Sequence, residues 1–131
     1  MNPLLLDTCA LIYFFFNTGD KKLSNEVITQ IQNGNFCILS ISFAELECLV
    51  QRKRIIVPTG TIDNLLYDLK EISKHSIIDI TSELWLKSIR LTWEDNKDPC
   101  DRLMVAYALE HDLNIVSSDR KIKAFYKKTI L

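Results

Sequence analysis

Four carboxylic acids lie where parallel α/β proteins usually carry their chemistry. Asp7 directly follows a short, strand-like apolar run, Asp119 comes shortly after another, and Glu45 and Asp101 each fall in the first turn of a predicted helix. Ligands bind at the carboxyl ends of the strands in such sheets, where several chain segments meet. We therefore expect these four side chains to converge at one edge of the sheet.

A cluster of like charges of this kind predicts a divalent metal site. Converging carboxylates repel one another unless a cation neutralises them. Oxygen ligands without histidine favour Mg²⁺ or Mn²⁺ over zinc, and His75 and His111 have no metal-ligand spacing. Metal-assisted hydrolysis of a phosphodiester is the chemistry that such a site supports.

Three of these acids, and the nearby Asp98, also have a purely structural interpretation. Asp7 and Asp98 fit as helix N-caps, and Asp101 favours the positive end of a helix, each for about 1 kcal/mol. Glu45 fits as the reciprocal partner of Ser42 in a capping box. These interpretations explain the acids singly, but they do not explain why four of them occur together.

The elements that position these acids follow the alternating pattern of β-α units. Predicted strands cover Pro3 to Leu6, Phe36 to Leu39, Ser76 to Ile80, Asn114 to Ser117 and, at an edge, Thr129 to Leu131. Predicted helices cover Thr8 to Phe16, Ser24 to Asn33, Ser42 to about Lys53, Ile62 to Ile72, Ser82 to Trp93, Asp98 to His111 and Arg120 to Lys127. This order predicts one α/β domain over residues 1–131, with a mainly parallel sheet flanked by helices on both faces.

Length and composition agree with one compact domain. A chain of 131 residues with 47% hydrophobic residues can bury a real core. Its longest apolar stretch, Pro3 to Phe16, is too short to span a bilayer and has no basic residue before it, so we expect a cytoplasmic protein. The cysteines form no C-x-x-C pair and are predicted to be buried thiols: Cys9, Cys37, Cys48 and Cys100.

The four acids occur within segments that resemble a known family. These segments are Leu4-Leu-Leu-Asp7-Thr8, Ser42-Phe-Ala-Glu45, Asp98-Pro-Cys-Asp101-Arg102 and Ile115-Val-Ser-Ser-Asp119. Over essentially its whole length the sequence resembles a PIN-domain protein of the VapC toxin type. The resemblance implies a Mg²⁺- or Mn²⁺-dependent endoribonuclease, the toxin of a type II toxin-antitoxin pair, that forms homodimers and is inhibited by a small VapB-like antitoxin.

The resemblance also implies roles for individual residues. Carried over by position, the family's acidic quartet falls on Asp7, Glu45, Asp101 and Asp119. We expect Asp7 and Asp101 to bind the metal directly, and the other two to bind it directly or through water. Asp98 is a further candidate ligand, although capping before Pro99 also explains it. Two hydroxyls are candidates for orienting an acid or holding a water: Thr8 and Ser117.

Basic residues near these segments are candidates for binding RNA, because four carboxylates would otherwise repel its phosphates. One cluster ends the Glu45 helix and comprises Arg52, Lys53 and Arg54. The other follows Asp119 and comprises Arg120, Lys121, Lys123, Lys127 and Lys128. Arg102, beside Asp101, is expected to pair with a carboxylate or a phosphate. Both clusters also fit as solvated helix ends, and the preference for RNA rests on the resemblance alone.

The aromatic residues have two interpretations. Tyr13 to Phe16, Trp85 and Trp93 fit a hydrophobic core, since aromatic stripes usually face inward. The same residues would also suit a surface covered by a second copy or by an antitoxin helix.

Other functions fit the sequence less well. A haloacid-dehalogenase phosphatase needs a second Asp two residues after the first, where this chain has Cys9. A phospho-receiver domain needs a pair of acids after the first strand, and Asp7 stands alone. A PIN-like binding domain without turnover has no reason to retain mutually repelling acids. An RNA-processing nuclease outside a toxin-antitoxin pair stays open.

Overall fold

The central feature of the fold is a parallel sheet. The computed structural model describes residues 1–16, 23–72 and 76–131. The strands in these ranges are β1 (Leu4–Leu6), β2 (Phe36–Leu39), β3 (Ile77–Ile78), β4 (Ile115–Val116) and β5 (Thr129–Ile130). They form one sheet in the order β3-β2-β1-β4-β5, and every neighbouring pair is parallel. The predicted parallel α/β fold is confirmed, with β5 at an edge.

Helices connect the strands in the predicted order. They are α1 (Thr8–Phe15), α2 (Asn25–Gln32), α3 (Ile41–Gln51), α4 (Thr61–Ile72), α5 (Ser82–Ile89), α6 (Pro99–His111) and α7 (Arg120–Phe125). No helix within the described ranges is long and apolar enough to cross a membrane. His75 lies outside the described residues.

Two hydrophobic clusters cover the two faces of the sheet. Successive residues of a strand point to opposite faces, so Leu5 of β1 belongs to one cluster and its neighbours Leu4 and Leu6 belong to the other. The Leu5 cluster includes residues of α5, α6 and α7. The other includes residues of α1, α2, α3 and α4. Helices on both faces, as predicted, therefore exclude water from the sheet.

The predicted core residues divide into buried and exposed sets. Trp93 is buried and stacks on Phe125 with ring centroids 4.7 Å apart, whereas Trp85 is 41% exposed. All four cysteines are free thiols. Cys37 and Cys100 are buried as predicted, whereas Cys9 is only partly buried. Cys48 is exposed, so the prediction that it is buried was wrong.

One helix is shorter than predicted. The hydrophobic spacing predicted a helix from Ser82 to Trp93, but α5 ends at Ile89. The guanidinium of Arg102 accounts for this early end, because it donates hydrogen bonds to main-chain carbonyl groups between Ser88 and Trp93. Those carbonyls are then not available to further helical turns.

Candidate active site

The predicted acids come together in one pocket. Strands β2, β1 and β4 are adjacent, so the segments that follow them meet at the same edge of the sheet. A pocket of about 460 Å³ lies there. Its walls carry five carboxylates, which we call the acidic pocket: Asp7, Glu45, Asp98, Asp101 and Asp119.

Three of these acids are also helix N-caps. The Oδ1 of Asp7 accepts a hydrogen bond from the Ala10 amide of α1 at 2.8 Å. The Oδ1 of Asp98 accepts from the amides of Cys100 and Asp101 in α6 at 2.9 and 3.1 Å. The Oδ1 of Asp119 likewise caps α7 through two amides at 2.8 and 3.1 Å. Capping and a place in the pocket are therefore properties of the same side chains.

Asp7 is a carboxylate that burial makes hard to ionise. Its side chain is 6% exposed, and this burial raises its pKa from 3.8 to about 7. Hydrogen bonds from Ser117 and from the Ala10 amide lower the pKa in part, and the charges of Asp101 and Asp119 raise it further. The repulsion from other acids is the electrostatic signature of an uncompensated anionic cluster.

The pKa of Asp101 depends on the same three kinds of interaction as that of Asp7. Burial raises its pKa from 3.8 to about 6, a hydrogen bond from Asn96 lowers it, and the charges of Asp98, Asp119 and Glu45 raise it. In the described residues, the ion pairs are made by Lys and His side chains and join acids outside the pocket. The pocket therefore has a net negative charge that a bound cation would neutralise.

Glu45 has different partners from those predicted. The capping box with Ser42 was wrong, because α3 begins at Ile41 with Ser40 as its N-cap and no side-chain cap bond. Oε1 of Glu45 instead accepts hydrogen bonds from Thr8 Oγ1 at 2.5 Å and from Cys100 Sγ at 2.9 Å. Burial, then the bond to Glu45, raises the pKa of Cys100 well above its usual range, so this thiol remains a donor.

Both predicted hydroxyls contact the acids. Thr8 orients Glu45, as described above. Ser117 bonds to Asp7, and its Oγ accepts a hydrogen bond from the Asp119 amide at 3.0 Å. Ser117 thus links the acid that follows β1 to the acid that follows β4.

Sequence reasoning missed one polar residue of the site, Asn96. Its side chain is 6% exposed. Nδ2 donates to Asp101 Oδ2 at 2.9 Å, and Oδ1 accepts from the Asp98 amide at 2.9 Å. The signal available in the sequence was an Asn two residues before an N-cap Asp, a common turn pattern that does not indicate a contact with a catalytic acid.

The guanidinium of Arg102 donates to main-chain carbonyls and not to a carboxylate, so the predicted pairing with a carboxylate was wrong. Arg102 is 4% exposed. Its guanidinium has five N–H donors, and they bond to the carbonyl oxygens of Ser88, Ile89, Leu91, Trp93 and Asn96. Arg102 is therefore a structural residue that anchors the segment between α5 and α6.

The predicted basic residues differ in their relation to the site. Arg52 lines the acidic pocket, and Lys53 and Arg54 do not. A second cavity of about 650 Å³, the basic cleft, shares Asp119 with the acidic pocket and is lined by Arg120, Lys123 and Lys127. Lys121 is exposed and outside that lining, and Lys128 pairs with Asp112.

Comparison with known proteins identifies the family. Residues 4–128 match the family model described as PIN domain. The chain belongs to the PIN-domain family. This PIN domain is similar to Ribonuclease VapC22 of Mycobacterium tuberculosis (strain ATCC 25618 / H37Rv), with 25% identity over 126 residues that cover 95% of this chain and 92% of that protein. The predicted resemblance to VapC-type PIN proteins is confirmed.

A solved structure has the same fold as this PIN domain. It is described as a toxin-antitoxin complex from Klebsiella pneumoniae, and its matching chain aligns with a TM-score of 0.64 and 18% identity. The alignment covers 98% of this chain and 96% of that one. The two chains therefore share a fold over nearly their full length.

The donors of this PIN domain suit a hard divalent cation. The acidic pocket offers carboxylate oxygens and no imidazole, which fits Mg²⁺ or Mn²⁺ better than zinc. Across residues 1–16, 23–72 and 76–131, no three His, Cys, Asp or Glu side chains are already arranged around an ion. An open pocket of this kind fits a cation that binds one or two carboxylates and retains much of its water.

Proposed function

We propose that this PIN domain is a divalent-metal-dependent endoribonuclease and the toxin of a toxin-antitoxin pair that acts in the cytoplasm. The observation that carries the proposal is the acidic pocket, in which five carboxylates lie together and, among the described residues, none of them forms an ion pair. The family, and a relative named as a ribonuclease, support the same activity.

Some of the carboxylates would bind a Mg²⁺ or Mn²⁺ ion, and one of them would accept a proton. We assign Asp7 and Asp101 as direct ligands, because they are the most buried acids with raised pKa values. Glu45 and Asp119 bind directly or through water, and one of them accepts the proton of the attacking water. A bound ion would supply positive charge beside the reacting phosphate and lower the pKa of water.

Basic residues on either side of the acids would hold the RNA backbone. Arg52 lies on the wall of the acidic pocket, and Arg120 and Lys127 line the basic cleft. Lys123 lies there too, but its ammonium already donates to main-chain carbonyls at 3.1 and 2.7 Å. We propose that the RNA strand runs from the acidic pocket to the basic cleft past Asp119, which lines both cavities. Its phosphates would then lie next to Arg52 and Arg120.

The test is cleavage of structured RNAs by the purified chain. We expect discrete products with Mg²⁺ or Mn²⁺ and none with EDTA. Asp7→Asn should abolish cleavage while preserving the α1 cap, because Asn is also a good N-cap. Asp68→Asn, an exposed carboxylate on α4, is the matched control and should cleave normally. A folded wild-type chain that binds Mn²⁺ but cuts neither tRNA nor rRNA would favour a non-catalytic PIN domain.

The toxin role has its own test. Expression of the chain alone should slow growth, and co-expression of a short protein encoded by an adjacent gene should restore it. An RNA-processing nuclease outside a toxin-antitoxin pair is the second candidate, and it predicts neither result.

A homodimer is the further assembly that we propose. Exposed apolar side chains lie on one face of α5 and on α6: Trp85, Leu86, Ile89 and Leu109. Exposed apolar side chains grouped in this way are typical of an interface. Light scattering should give the mass of a dimer for the wild type and of a monomer for Ile89→Lys; a wild-type monomer would remove this part of the proposal.

A further inference from the structure

We infer that Asn96 is a positioning residue that holds the carboxylate of Asp101 in place for binding a divalent cation. The inference rests on the proposed metal-dependent function and extends it to a residue outside the acidic set. It is carried by the two hydrogen bonds of the Asn96 side chain, by its burial, and by the anchoring of its main chain.

The orientation of the Asn96 amide follows from its partners. The Asp98 amide can only donate, so the atom that faces it at 2.9 Å must be the side-chain oxygen of Asn96. The NH₂ group of Asn96 is then directed at Asp101 Oδ2, also at 2.9 Å. One side chain thus fixes the turn before α6 and donates to an acid on the first turn of the same helix.

The main chain of Asn96 is fixed as firmly as its side chain. Its carbonyl accepts a hydrogen bond from Arg102 Nη1 at 2.8 Å. Arg102 follows Asp101 directly in α6, so the residue that anchors the Asn96 carbonyl and the acid that the Asn96 side chain contacts lie on the same helical turn. The distance between Asn96 and Asp101 therefore does not depend on the flexibility of an open loop.

Asp101 needs such a restraint because its neighbours repel it. The side chains of Asp98, Asp119 and Glu45 carry like charges that act on it. In the part of the chain that the structure describes, the Asn96 amide is the side-chain group that donates a hydrogen bond to the Asp101 carboxylate. Without it, the carboxylate would turn away from the other acids and would have to be ordered again when a cation binds.

The experiment compares two variants by Mn²⁺ titration calorimetry of the full-length chain. Asn96→Ser retains an oxygen that can accept from the Asp98 amide, as Ser does in turns, but it removes the donor to Asp101. Asn96→Ala removes both bonds. We expect about a tenfold or greater rise in the Mn²⁺ dissociation constant for both, as is typical for the loss of a group that orients a ligand. Asn64→Ala, an exposed Asn on α4, should bind as the wild type does.

A merely structural role predicts a different pattern. If Asn96 only shapes the turn, Asn96→Ser should bind Mn²⁺ as tightly as the wild type, and this result would overturn the inference. Weaker Mn²⁺ binding by a folded Asn96→Ser, with an unchanged melting temperature, would support it. Because this readout does not use RNA, the inference would stand even if the wild type failed to cleave RNA.

A second measurement avoids variants altogether. In the wild-type protein, the side-chain amide resonances of Asn96 should shift when Mg²⁺ is added, while those of Asn64 should not. Absence of an Asn96 shift at Mg²⁺ concentrations that saturate the protein would also overturn the inference.

Discussion

Asp7 is placed to bind a metal ion, but its burial destabilises the metal-free protein. Its carboxylate caps α1 and lies buried beside two other acids. The folded protein therefore binds the Asp7 proton more tightly than the unfolded chain does, since the pKa is about 7 in the fold and 3.8 ordinarily. A group of this kind makes stability fall as the pH rises from about 4 to about 7.

Asp7→Asn should remove this penalty. In EDTA at pH 8 we expect the variant to be more stable than the wild type by up to about 4 kcal/mol, the equivalent of the whole pKa shift. The difference should shrink toward pH 4, where the wild-type carboxylate is protonated. Urea denaturation at several pH values measures it, with Asp68→Asn as the control. A wild type as stable as the variant at pH 8 would show that Asp7 is not destabilising.

Asp119 allows its two roles to be separated. Its Oδ1 caps α7, and its charge belongs to the acidic pocket. Asp119→Asn should keep the cap and lose the charge, whereas Asp119→Ala should lose both. We expect similar losses of RNA cleavage in the two variants, but only Asp119→Ala should lower the free energy of unfolding, by about 1 kcal/mol. Full activity in Asp119→Asn would limit this residue to capping.

Local sequence patterns predicted the acids better than their partners. Asp7 and Asp119 were predictable because each follows an apolar strand. The partner of Glu45 was not, because a capping box is a pattern within four residues and the actual donor Thr8 is 37 positions away. Asn96 was missed because its role depends on how Arg102 folds the preceding segment.

At the scale of elements, Arg102 determines where α5 ends and how its connection to α6 is held. It donates to five main-chain carbonyls from a buried position. Arg102→Lys keeps the charge but has three donors on one nitrogen and lacks the planar fork. We expect the variant to lose about 2–4 kcal/mol of unfolding free energy, because buried carbonyls are left without partners.

Urea denaturation measures this loss, and Arg90→Lys is the control. Arg90 is exposed at the end of the same helix and should tolerate the change. If Arg102→Lys were as stable as the wild type but bound RNA more weakly, Arg102 would be a substrate contact and not a structural residue.

The order and type of the elements could be predicted, but some of their ends could not. Hydrophobic periodicity and the Asp98-Pro99 start predicted α6 within one residue. The same reasoning extended α5 by four residues, to Trp93. Helix ends set by hydrogen bonds from a distant side chain leave no local pattern, and the end of α5 is set in this way.

At the scale of the whole molecule, a net charge of −1 conceals adjoining regions of opposite sign. The acidic pocket and the basic cleft share Asp119. RNA binding by the Asp7→Asn protein should therefore weaken as salt rises. Arg52→Ala and Arg120→Ala should each reduce the slope of log K against log salt by about 0.7, the value for one phosphate contact on a single strand.

Fluorescence anisotropy with a short single-stranded RNA measures these slopes. Lys70→Ala provides the control, because Lys70 is an exposed cation of α4 outside both cavities. An unchanged slope in both arginine variants would mean that the RNA does not run between the acidic pocket and the basic cleft past Asp119.

The capping acids also restrict how this chain can lose its activity over evolutionary time. Asp7, Asp98 and Asp119 each begin a helix, so most replacements would harm folding as well as chemistry. Descendants released from selection for catalysis should therefore carry Asn, Ser or Thr at these positions, since those residues still cap. Among the described residues, Glu45 caps no helix and only accepts hydrogen bonds from the Thr8 and Cys100 side chains, so Gln, which retains an acceptor oxygen, should be its earliest replacement in a decayed copy.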